Sequence, residues 1–169
     1  NRTVAKMVEE ALKYSQVESI LAVGEEEDIF DPKFEEILVD IPMPATKLEL
    51  LIKMLRKRIV EYSKTNAVAA QKYQELLEKT IAQYHERRKH LDLEEAGETQ
   101  EEASSKIIQN ATDQALDILA GLNADRESFR QMGLTFEEKA FYDILVKVRD
   151  DHGFPYADEK CLVLAKKIK

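Results

Sequence analysis

Between Thr46 and Leu91 apolar residues recur at three- and four-residue steps: Leu48, Leu51, Ile52, Leu55, Ile59 and Tyr62, then Tyr73, Leu76, Leu77, Ile81, Tyr84 and Leu91. That spacing stacks side chains on one face of a helix, so it predicts a pair of long amphipathic helices. Ser63 to Asn66 is short and polar, which favours a hairpin between them. Thr46 and Glu49 stand at capping-box spacing and predict the start of the first helix there. Pro42 and Pro44, which cannot donate a helical hydrogen bond, are expected to break the pattern before it.

The same period continues on both sides. Asn1 to Leu21 reads as a helix with Thr3 as cap and Val4, Met7, Val8, Ala11 and Leu12 on one face, stopped by Gly24. Glu25 to Asp28 is an acidic linker, and Asp31-Pro32 opens a short helix carrying Phe34, Ile37, Leu38 and Ile41. Asp92 to Glu102 has the acidic, glycine-containing character of a loop. Thr99 with Glu102 then predicts a helix through Ala103, Ile107, Ile108, Ala111, Ala115, Ile118 and Leu119, stopped by Gly121 and Asn123. Asp125 is expected to cap a further turn or two ending at Gly133. A third capping box, Thr135 with Glu138, precedes Phe136, Ala140, Phe141, Ile144, Leu145 and Val148, a stripe that predicts a core helix. After a loop from Asp150 to Pro155, Asp158 is expected to cap a last amphipathic helix through Leu162, Ala165 and Ile168. No strand is predicted. The pattern defines an all-α, multi-helix bundle with two long central amphipathic helices, a single helical domain over residues 1–169.

Composition narrows the function classes. A chain of 169 residues can bury a core without staples, and its single cysteine, Cys161, excludes an internal disulfide, which fits a reduced, cytoplasmic setting. No apolar run approaches the roughly 20 residues needed to span a bilayer, so no membrane partner is expected. The absence of an initial methionine, and an amphipathic pattern running to Lys169, suggest a piece of a longer polypeptide. The formal net charge of -8 argues against free-standing tight DNA binding. Against that balance, Lys53, Arg56, Lys57 and Arg58 on the first long helix, and Arg87 and Arg88 on the second, form a basic run. It reads either as a solvated face paired with neighbouring glutamates or as a candidate interface for a partner or for DNA phosphate.

Candidate chemistry is sparse. His85, His90 and His152 have no ligand-type neighbours at metal-binding spacing, and Cys161 reads as a small apolar packer. Glu137 with Lys139, and Asp158 with Lys160, match a loose acid-x-Lys pattern of metal-dependent nucleases, but both pairs fall in first turns of helices, where capping and the helix dipole already favour acids. No phosphate-binding glycine loop and no nucleophile elbow is present. No catalytic, cofactor-binding or metal-binding residue is expected.

Several segments in order resemble the C-terminal region of the motor and nuclease subunit, the R subunit, of type I restriction enzymes. These are the short helix with Phe34, the basic stretch LELLIKMLRKRI from Leu48, the bend at Asn66 and YQELLEKTIAQYHERR from Tyr73. After them come Gly133-Leu134-Thr135, Glu137-Glu138, Ala140-Phe141-Tyr142-Asp143 and Leu145, and then Asp158-Glu159-Lys160 with Leu162 and Ala165. The interval from Asp92 to Asp125 is longer and more acidic than the family pattern, and the tryptophan segment that usually follows the last helix is missing. The resemblance implies a parent subunit that translocates and cleaves DNA with ATP and Mg handled by upstream domains, and no cofactor in this part. It implies that residues 1–24 link to the motor and that 31–169 form a non-catalytic assembly domain. The implied partners are the upstream motor and nuclease domains, the modification and specificity subunits, and the DNA phosphate backbone. The rival reading is a helical module of the same complex whose basic face grips the DNA backbone, and a domain that packs only against its own chain is the plainest alternative.

Overall fold

The computed structural model describes residues 41, 43–91 and 100–168. The helices expected from Asn1 to Leu21 and from Phe34, the acidic linker and the Asp92 to Thr99 segment lie outside these residues. Among the described residues there are five α-helices and no strand. We label them α1 (Pro44–Ser63), α2 (Ala67–Leu91), α3 (Gln100–Gln131), α4 (Phe136–His152) and α5 (Asp158–Lys167).

The first three helices form the core. α1 and α2 fold back on each other through the turn at Lys64 to Asn66, as the polar spacing predicts. α3 lies against both. Leu48, Leu51, Met54, Leu55 and Ile59 of α1 meet Ala70, Tyr73 and Leu77 of α2 and Ala111, Ala115, Ile118, Leu119 and Leu122 of α3 in one apolar cluster. The alanines on α3 let the neighbours approach closely. α2 and α3 run antiparallel, because Tyr73 bonds to Gly121, Thr80 to Gln114 and Arg87 to Asn110, positions that fall on one helix as they rise on the other.

Several boundaries differ from the sequence expectation. α1 begins at Pro44, not Thr46: the missing proline N–H costs nothing in a first turn, where it would have no helical partner. Thr46 is thereby taken inside the helix and buried, with Met43 in the cap position and no side-chain cap bond. α3 does not stop at Gly121 but runs 32 residues to Gln131, roughly 48 Å. Gly121 serves close approach instead. A Cβ there would lie 3.3 Å from Cε1 of Tyr73, whose hydroxyl donates to the Gly121 carbonyl at 2.7 Å. The helix ends at Gly133, in the left-handed conformation at φ +63, with the N–H of Leu134 returning to the Phe129 carbonyl and that of Gly133 to the Arg130 carbonyl.

The capping box of Thr135 and Glu138 starts α4 as predicted, with both reciprocal bonds present. α5 starts differently: Ala157 occupies the cap position, and the Asp158 carboxylate pairs with Arg149 of α4. The α4–α5 pair packs through Cys161 and Ala165, the two fully buried residues of α5. Such small side chains allow a close hairpin, and Cys161 behaves as the apolar packer expected of it.

Candidate interaction surfaces

α4 is not the core helix that its stripe predicts. Its one fully buried residue is Lys139, whereas Phe141, Ile144 and Val148 are 40%, 45% and 40% exposed. At three- and four-residue spacing these three share the outward side of the helix, away from Lys139. Phe154 and Tyr156 in the following loop, and Val163 on α5, are exposed as well. The small buried residues of the hairpin thus lie on α5, while several large apolar ones stay on the surface.

The inner side of α4 carries Phe136, packed on the core beside Tyr62 and Phe129, and then a polar group. Lys139 Nζ donates to both carboxylate oxygens of Asp143 at 2.6 Å and lies 3.6 Å from Asp125 of α3. Asp143 also accepts from Asn66 Nδ2 at 2.6 Å, while Asn66 Oδ1 accepts the Ala69 N–H at the start of α2. One asparagine thus caps α2 and ties it to α4. The two carboxylates add to burial, the larger cause, in raising the hydroxyl pKa of Tyr62 and in pushing that of Tyr73 up to about 12, so both phenols stay neutral. A groove of ≈520 Å³ opens beside this joint, lined in part by Val68, Lys72, Val146 and Asp150. A second, of ≈480 Å³, runs between α2 and α3 past Leu76, a predicted core position that is 41% exposed.

The six basic residues singled out from the sequence do not form one patch. Lys53, Arg56 and Lys57 share the solvent face of α1. Arg58 lies on the flank, partly buried, where it pairs with Glu61. Arg87 and Arg88 stand near the far end of α2, about 18 Å further along the bundle axis at 1.5 Å per residue. There Arg87 donates to Asn110 and Arg88 to the Tyr84 hydroxyl. The acid-x-Lys pairs are not assembled into sites either: Glu137 is exposed while Lys139 points inward, as residues two apart on a helix must diverge. Among the described residues no group of three or more His, Cys, Asp or Glu side chains is placed to hold a metal ion.

Sequence reasoning missed the Lys139, Asp143, Asp125 and Asn66 joint. The available signal was the Lys139 and Asp143 pair at i,i+4, but whether such a pair is buried depends on what packs over it.

These features define an all-α bundle whose distinctive groups lie on its outside and at one polar joint. Over residues 1–169 the sequence matches the family model described as "Type I restriction enzyme HindI endonuclease subunit-like, C-terminal", and the chain belongs to that family. It is the C-terminal domain of a type I restriction enzyme endonuclease subunit. No curated protein and no solved structure matches it. No helix among the described residues is long and apolar enough to cross a membrane.

Proposed function

We propose that this domain is a non-catalytic assembly module. It docks the ATP-dependent translocase and nuclease subunit onto the methyltransferase core formed by the modification and specificity subunits, while ATP and Mg are handled by upstream domains of the same chain. The observation that carries this reading is the uncovered stripe of Phe141, Ile144 and Val148 on a helix otherwise tied down by polar bonds. Aromatic and aliphatic anchors clustered on a rigid element are the groups that dominate protein interfaces, and charged residues are depleted at interface centres.

The test is a titration of the 169-residue chain against the purified methyltransferase core, with and without duplex DNA, at two salt concentrations. Saturable binding without DNA and with shallow salt dependence is expected. Replacing Phe141 and Ile144 by Ser should weaken it at least about tenfold, since anchor truncations typically cost more than about 1 kcal/mol each. Binding to neither core nor DNA would leave a domain that packs only within its own chain, and unchanged binding by the double variant would remove the α4 stripe from the interface.

A further inference from the structure

The solvent face of α1 has a different character from that of α4. Lys53, Arg56, Lys57 and Lys64 are all exposed there. At about 100° per residue they fall in one stripe. Val60, 61% exposed, lies among them, and Glu49 stands at the N-terminal end. On a chain of net charge -8 this is a local reversal of sign.

We propose that this stripe follows the phosphate backbone of duplex DNA. Electrostatic attraction to a polyanion depends on the local arrangement of cations, so the acidic total does not forbid it. Along the helix axis Lys53 and Lys57 are about 6 Å apart, and Lys57 and Lys64 about 10 Å. Duplex DNA presents one charge per roughly 1.7 Å of its axis, so flexible ammonium groups at these intervals find phosphates without a fixed register. The Arg56 guanidinium adds a fork suited to bidentate phosphate contact. Contacts that surface lysines make with neighbouring side chains are weak and exchange readily for phosphate.

An acidic protein surface fits less well, because the stripe has no aromatic anchor and Val60 is its one exposed apolar side chain, whereas α4 clusters Phe141, Ile144 and Val148. Its exposed cations are Lys and Arg on a straight face with no Asn or Gln among them. The expected contact is therefore with backbone and indifferent to base sequence. The proposal stands apart from the docking reading, since it needs no other subunit.

The experiment measures binding of the 169-residue chain alone to a duplex of about 30 base pairs at salt between about 50 and 200 mM, comparing two unrelated sequences. Wild type is expected to bind both equally, with log K falling against log salt at a slope of roughly -3 to -4 for four phosphates. A variant with Lys53→Gln, Arg56→Gln, Lys57→Gln and Lys64→Gln should bind at least tenfold more weakly and lose most of that slope, with unchanged helical content. A control with Lys79→Gln, Lys106→Gln, Lys166→Gln and Lys167→Gln removes the same charge elsewhere and should keep the slope. No binding by wild type at the lower salt, an unchanged slope in the stripe variant, or an equal loss in the control would each overturn the proposal.

Discussion

The most consequential residue is Lys139, a charged side chain 6% exposed, held by a carboxylate on its own helix and near another on α3. Removing one partner of a buried ion pair leaves the other charge desolvated, which typically costs about 3–5 kcal/mol, whereas replacing both by apolar groups is often close to neutral. Lys139→Met should therefore lower stability by about 3 kcal/mol in urea unfolding, and Lys139→Met with Asp143→Leu should recover part of that. Recovery will be incomplete because Asp143→Leu strands the Asn66 amide. A single variant losing less than about 1 kcal/mol would mean that water reaches the pair and solvates it. Sequence reading could place Lys139 on a helix but not inside the protein. Gly121 was misjudged for a related reason: glycine signals a stop in sequence, but here it makes room for the Tyr73 ring 48 positions away. Asp158 likewise had the identity and position of a cap, yet an arginine on the preceding helix offers its carboxylate a better partner.

At the scale of elements, what is local was legible. The periodicity located every described helix, and the Thr135 and Glu138 box marked the start of α4, because capping involves groups only three residues apart. What covers a helix face was not legible. The period of Phe141, Ile144 and Val148 says that they lie together; only the packing of α4 on α5 and on the bundle says that they stay exposed. The joint between α3 and α4 depends on Gly133, whose φ of +63 is strained for any residue with a Cβ. Gly133→Ala should cost about 1–2 kcal/mol, read as a lower urea midpoint, even though open space surrounds the site: only the Lys166 ammonium lies within 4 Å. Because the strain is in the backbone, Gly133→Asn, which tolerates the left-handed region, should lose less. Equal loss in both variants would point to a role for the space around Gly133 rather than for its backbone.

Across the whole molecule, burial is unevenly shared. α1, α2 and α3 hold the large apolar core, while α4 contributes one fully buried residue and α5 two. The hairpin reaches the bundle through the Lys139, Asp143, Asp125 and Asn66 joint and through Phe136, which packs against the core beside Tyr62 and Phe129. Regions with few buried apolar contacts open at lower free energy than the core. Native-state hydrogen exchange should accordingly show amides in the middle of α1, α2 and α3 exchanging only through global unfolding, and those of α4 and α5 through an earlier, partial opening. Lys139→Met should speed exchange in α4 and α5 far more than in the bundle, since it loosens the joint without touching the apolar core. A uniform exchange free energy over all five helices would instead show that the polar joint couples hairpin and bundle into one cooperative unit. The distinction bears on the docking proposed above: a hairpin that opens by itself could adjust its apolar stripe to a partner and be ordered on binding, whereas one fixed to the bundle would present that stripe ready-made.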